Sequence, residues 1–257
     1  MGDEAGSERR RVEVAPAADI LEEVRRILDV AEDIPLRVLG GVAIALSAGG
    51  ELLLPRTYND IDFITGRGLG PDVVRSFEEL GYVGDQRFNA LNGYRRLLFY
   101  DTANDRRVDV FIDKFEMCHP IPLRNRLTVH AQTISLADLL LTKLQIVALN
   151  EKDQRDIVNL LHAHHLSSSD AEGINAQYVA KLLAADWGLW RTSTLNLERV
   201  RGALARYGLQ PEQEEVVRTR LDDLRSRIDQ EPKGTRWKVR ARVGERVKWY
   251  EEPEEVG

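Results

Sequence analysis

From Asp19, the run DILEEVRRILDVAE sets Ile20, Leu21, Val24, Ile27, Leu28 and Ala31 on one stripe at helical spacing, with Asp19 as its cap. Pro35 ends that pattern, and LRVLGG reads as a short buried strand finishing on Gly40 and Gly41. VAIALSAG follows as a short helix closed by Gly49 and Gly50. The next strand carries NDIDFIT, and after the glycine-rich turn GRGLG the spacing predicts a helix over 72–80. Further short strands are expected around Tyr82, at YRRLLFYD and at RRVDVFID.

Beyond Ser135 the texture changes. SLADLLLTKLQIVALNEKDQRDIVNLLHAHHL predicts two packed helices, with Asn150 to Asp153 as the polar break between them. Amphipathic helices follow over 176–185, 197–207 and 211–229, the last with Pro211 at its start. The expected class is α+β: a mixed sheet with flanking helices, then a helical lobe. The expected divisions are a flexible lead over 1–15, an α/β core over 16–133, the helical lobe over 134–230 and a basic hairpin or flexible tail over 231–257. In that tail Trp237, Val239, Ala241 and Val243 alternate with Arg236, Lys238, Arg240 and Arg242, and Gly244-Glu245 offers a turn, so one hairpin face would be basic.

Composition narrows the function classes. The 257 residues, 43% hydrophobic and 30% charged, suffice for an ordinary globular core. No apolar run is long enough to span a bilayer, and MGDEAGSERRR lacks the apolar region of a secretory signal, so the cytoplasm is the expected compartment. The lone Cys118 supplies neither an internal disulfide nor the paired thiols of a structural zinc site. A net charge of −6 argues against a general nucleic-acid coat, which needs clustered Lys and Arg. The tail is the local exception, readable as a solvated edge hairpin or as a phosphate-contacting arm for RNA.

The candidate chemistry lies in NDIDFIT. Alternate strand residues share a face, so Asp60 and Asp62 project together while Ile61 and Phe63 point into a core. Two carboxylates on one edge repel unless a cation lies between them, and hard oxygen donors suit Mg2+ or Mn2+. Taken alone, such a pair also reads as solvated acids at the mouth of a loop. Two neighbours change the weighting. RRVDVFID supplies Asp109, flanked by Val108 and Val110 on a strand able to lie beside the first; Asp113 shares its face but is about 13 Å away along the strand. Gly40-Gly41 lets the backbone approach a ligand and leaves amide groups for a phosphate, or simply makes a tight turn.

Together the glycine pair, a short helix, the D-x-D and a later strand Asp resemble the nucleotidyltransferase superfamily typified by DNA polymerase beta. LGGVAIALSAGG through RTYNDIDFIT looks like its small bacterial members, with Arg56 preceding the acids. LADLLLTKLQIVALNEKDQRDIVNLL is similar to the helices of the abortive-infection toxin type, with Lys143, Lys152, Asp153 and Asp156 at the matching places. The resemblance implies divalent ions on Asp60, Asp62 and Asp109, and an NTP co-substrate whose triphosphate lies against Gly40, Gly41 and Lys143, with Arg56 and Asp153 beside the nucleotide. It also implies transfer of a nucleoside monophosphate to a hydroxyl of tRNA or protein, and a cognate antitoxin as a partner. A small-molecule acceptor, as in aminoglycoside-modifying relatives, is the first rival, and a non-catalytic module of the same fold the second. A D-x-D glycosyltransferase would need about a hundred residues of α/β unit ahead of its motif, and fewer than sixty precede Asp60 here.

Overall fold

The computed structural model describes residues 19–252. Helix α1 (Ile20–Val30) starts where expected: the Asp19 carboxylate accepts from the Leu21 and Glu22 amides, and Val24 and Ile27 are buried. Strand β1 (Arg37–Leu39) runs straight into α2 (Gly40–Ser47), so the glycine pair opens the helix rather than closing the strand. Then come β2 (Asp60–Thr65), α3 (Gly70–Glu79), β3 (Val83–Gly84), α4 (Gln86–Asn92), β4 (Arg96–Asp101) and β5 (Arg106–Ile112). These strands make one mixed sheet in the order β1-β2-β5-β4-β3, in which β2 and β5 are the parallel neighbours.

The alternation along β2, β5 and β4 separates two faces. Ile61, Phe63, Val108, Val110 and Phe99 are fully buried. Phe77 of α3 closes over them, its ring 5.9 Å from that of Phe63 and 4.6 Å from that of Phe99. The opposite face carries Asp60 and Asp62 of β2, Arg107 and Asp109 of β5, and Arg96 of β4, as the period of two requires.

A small hairpin of β6 (Lys114–Glu116) and β7 (Pro120–Pro122) leads to α5 (Leu136–Leu144), buried along its whole length, and α6 (Glu151–Ala163). Val38 of β1 donates to Gln132 O (2.9 Å) and accepts from the Ile134 amide (3.1 Å), so residues 132–134 cover the outer edge of β1 just before α5. A two-residue pair, β8 (Leu166–Ser167) and β9 (Ile174–Asn175), precedes α7 (Ala176–Ala185), α8 (Trp187–Ala203), α9 (Pro211–Gln230) and α10 (Thr235–Val243). One hydrophobic core runs unbroken from the sheet through α5, α6, α7 and α9. The architecture is thus mixed α+β, with helices on the sheet and a helical second half.

Three local expectations fail. Helix α4 and the β6–β7 hairpin are absent from the pattern reading, being short and half-exposed. Helix α8 begins at Trp187 rather than near Leu197, because Asp186 caps it by accepting from the Leu189 amide at 2.8 Å. The basic tail is not a hairpin: residues 235–243 form α10, and a short 3-10 turn follows at Gly244–Arg246. Arg, Lys and Ala favour a helix, and helical spacing lets Trp237 meet Trp190 (5.1 Å) while Arg240 lies 4.5 Å over Trp187. A strand would have turned those two anchors to opposite faces. The expected lead over 1–15 and the last residues 253–257 lie outside the described residues.

No helix among the described residues is long and apolar enough to cross a membrane.

Candidate active site

The parallel register of β2 and β5 sets Asp62 directly opposite Asp109, and Asp60 opposite Arg107. Asp109 is 1% exposed, while Asp60 and Asp62 are half-buried. Burial first, then the charges of Asp60 and Asp109, push the Asp62 carboxyl up to about 7, against the opposing pull of Lys143 and Arg96. Burial also raises Asp109, outweighing the pull of Arg96 and Arg107. Both shifts are led by burial, and the neighbouring carboxylates add to it, strongly at Asp62 and least of the causes at Asp109.

The glycine pair lies against this cluster, and each glycine has a separate steric reason. Leu39 is the register partner of Asp62, and Gly40 follows it at φ +71°. A Cβ on Gly40 would come within 2.4 Å of Asp62 Oδ2. A Cβ on Gly41 would lie 3.0 Å from Arg56 Cζ and 2.9 Å from Tyr58 Cε1. Leu39 gives no side-chain cap to α2, so the first-turn amides of that helix start beside the Asp62 carboxylate without one.

Beneath the glycines runs a buried charge network. Lys143 Nζ stands 2.9 Å from both Asp153 Oδ1 and Asp156 Oδ2, and the Arg56 guanidinium pairs with Asp156 as well. Burial lowers the Lys143 ammonium, but Asp156 and Asp153 overcome it and raise the group to about 12. Lys143 and Asp153 therefore bind each other, and Lys143 reaches the acid cluster through its field on Asp62. Tyr58 packs under Arg56, whose guanidinium carbon is 5.2 Å from the ring centre, and burial followed by Asp156 pushes its hydroxyl up to about 12. Tyr58 OH, Arg56 Nε and Asp156 Oδ1 are buried without a hydrogen-bond partner.

Asp109 has cationic neighbours that sequence reasoning missed. Its Oδ1 accepts from Arg96 at 2.7 Å, and its Oδ2 faces Arg107 Nε at 3.2 Å without a well-directed hydrogen bond. Strand alternation carries the signal for both: Arg107 is two residues from Asp109, and Arg96 stands on the same face of the adjoining β4. Among the described residues no group of three His, Cys, Asp or Glu side chains is already arranged to hold a metal ion. The chemistry of the donors nevertheless fits a hard dication. They are carboxylate oxygens only, Asp109 Oδ2 is buried without a hydrogen bond, and the charges of Asp60 and Asp109 add to burial in raising Asp62, a repulsion that a cation between the acids would relieve. Asp113 stays apart: it turns at φ +66° and accepts from the Arg67 amide.

Two cavities border neighbours of Asp109, which itself lines neither. Asp60 and Arg107 border one of about 450 Å3, and Arg96 borders another of about 230 Å3 walled by Phe88, Phe111 and Met117.

No protein-family model matches the chain, and no curated protein matches it. A solved structure that is similar is the solution structure of the antibiotic-resistance factor ANT(2'')-Ia. It is 13% identical, the match covers 81% of this chain and 94% of that one, and the TM-score is 0.36.

Proposed function

We propose that the chain is a metal-dependent nucleotidyltransferase that moves a nucleoside monophosphate from an NTP to a hydroxyl acceptor and releases pyrophosphate. One observation carries the reading: Asp62 faces Asp109 across parallel strands, with Asp60 beside it and no room for a Cβ on Gly40, and burial together with the charges of Asp60 and Asp109 raises Asp62 to about 7. Asp60, Asp62 and Asp109 would hold Mg2+ or Mn2+, which when bound neutralises phosphate charge and assists the leaving group. The triphosphate would lie against Gly40, Gly41 and the first amides of α2. Asp109 would take the acceptor's proton as the acceptor oxygen bonds to the α-phosphorus and the bond to pyrophosphate breaks. Arg56, Lys143 and Asp153 serve by fixing the floor of the site through Asp156.

For the acceptor we favour tRNA or protein on the resemblance of α5 and α6 to the toxin type, which also brings a cognate antitoxin as a partner; a small hydroxylated molecule is the rival. A second reading, a non-catalytic module of the same shape, is favoured by the hold of Arg96 and Arg107 on Asp109. The test is incubation with each labelled NTP and Mg2+ in the presence of total RNA, lysate protein or small hydroxylated acceptors, alongside Asp60→Ala and Asp62→Ala. Transfer that disappears in both variants is expected, and the labelled fraction identifies the acceptor class. Transfer surviving in both variants refutes the carboxylate assignment, and no transfer with any acceptor favours the module.

A further inference from the structure

The chain has four tryptophans, Trp187, Trp190, Trp237 and Trp249, and the fold brings all of them together on the side where α8, α10 and the last described residues meet. The Trp187 ring is 6.4 Å from that of Trp190 and 6.2 Å from that of Trp249, and Trp190 is 5.1 Å from Trp237. They are not a closed core. Trp187 is buried and Trp190, Trp237 and Trp249 are half-exposed, and Trp187, Trp237 and Trp249 line a cavity of about 540 Å3.

The walls of this cavity are fixed. Gly188 leaves room for the tail, since a Cβ there would meet Trp249 O at 2.6 Å. Trp249 Nε1 donates to Thr192 Oγ1 at 3.1 Å, and the Glu251 amide donates to Cys118 O at 3.0 Å. Arg240 is spent on Gly244 O and Val247 O while lying over Trp187. At the rim, Arg236 is exposed and points its charge at no acid among the described residues, and Lys238 and Arg242 on the same helix are in the same condition. Lys248 adds a further cation, held by an exposed pair with Glu252 and lying 5.2 Å over the Tyr250 ring. Two acids, Asp186 and Glu251, also line the cavity, the first turned to the Leu189 amide, which leaves Arg236 as an unpaired charge; half-exposed indoles beside such a cation are what a nucleobase and its phosphate require.

We propose that this cavity and the outer face of α10 bind an unpaired stretch of nucleic acid, with bases stacking on the Trp237 and Trp249 rings and phosphates on Arg236, Lys238 and Lys248. This site is separate from the carboxylate cluster, and its test does not depend on the transfer reaction. Because every tryptophan belongs to the cluster, fluorescence excited selectively at tryptophan, and not at the seven tyrosines, reports on this site.

The protein is titrated with a single strand of about twelve nucleotides, within the range covered by stacking grooves. RNA and DNA strands, a duplex of the same sequence and a mononucleotide are compared. Saturable quenching by the single strands is expected, with log K falling against log salt at a slope near −2 for three phosphates. Arg236→Glu, at an exposed position that leaves the far-UV dichroism intact, weakens binding about tenfold and flattens the slope. Asp62→Asn, in the other site, leaves the titration unchanged. A difference between the RNA and DNA arms names the source of the strand. Quenching that is absent, or that is indifferent to salt and to Arg236→Glu, overturns the proposal, as does quenching by the mononucleotide or duplex equal to that by the strand.

Discussion

Gly40→Ala isolates the contact between the glycine pair and the acid cluster. The residue sits at φ +71°, where an L side chain costs about 1–2 kcal/mol, and the added Cβ would stand 2.4 Å from Asp62 Oδ2. Asp62 cannot simply swing away, because Asp60 and Asp109 already repel it on the sheet side. Relieving the clash by about 1 Å adds a cost of similar size, for a total of about 2–4 kcal/mol. In a chain of 257 residues that lowers Tm by roughly 4–16 °C. A 1 Å displacement of Asp62 also costs about a hundredfold in transfer rate if the proposed reaction holds. The assay is a thermal melt of Gly40→Ala, Asp62→Ala and the double variant. Removing the Asp62 side chain abolishes the clash but not the φ strain, so the double variant should recover about 1–2 kcal/mol of the Gly40→Ala loss. Strictly additive losses, or a Gly40→Ala melt equal to that of the parent, would refute the steric argument.

Asp156→Ala leaves Arg56 without its acid and Lys143 with Asp153 alone inside the protein; a loss of about 3–5 kcal/mol in denaturant unfolding is expected, and a loss under 1 kcal/mol would contradict a buried network. His119 is held down to about 4 by burial, against a weaker upward pull from Asp186, while its Nε2 meets Thr192 Oγ1 at 2.9 Å. The unfolded chain, titrating near 6.5, therefore binds the proton first, so this contribution is complete above about pH 6.5 and is lost as pH falls toward about 4. Discounted for partial hydration, the loss is about 2 kcal/mol at pH 4. His119→Gln should remove that part of the pH dependence, and an unchanged profile would refute the assignment.

The elements with strong periodicity were legible. The helical stripe after Asp19, the helix at 176–185 and the strand with Ile61 and Phe63 facing inward all follow from spacing and burial. So was the meeting of Asp62 with Asp109, because a buried strand with an acid on its polar face has few places to go in a mixed sheet. What the pattern hid was identity of partner. Nothing local says that Lys143 is satisfied by Asp153 and Asp156, or that Arg96 and Arg107 bracket Asp109; those are contacts across the sheet and between α5 and α6. The tail misled for a related reason. Alternating Val and Arg reads as a strand only until Trp187 and Trp190 offer a surface that rewards helical spacing instead.

The strand order has a kinetic side. β5 lies between β2 and β4, yet it is the last of the sheet's strands to emerge in sequence, and its pairing with β4 is a short hairpin whereas its pairing with β2 spans α3, β3, α4 and β4. Loop-closure entropy favours the β4–β5 ribbon first and its docking onto β2 afterwards. That docking step is also the moment at which Asp109 is pressed against Asp60 and Asp62, so part of the barrier to completing the sheet is electrostatic work, lowered by any ion that screens or bridges the acids. Refolding in magnesium should therefore outpace refolding in an inert salt of equal ionic strength, and the speed at which this chain finds its native sheet becomes a property of the solution's cations.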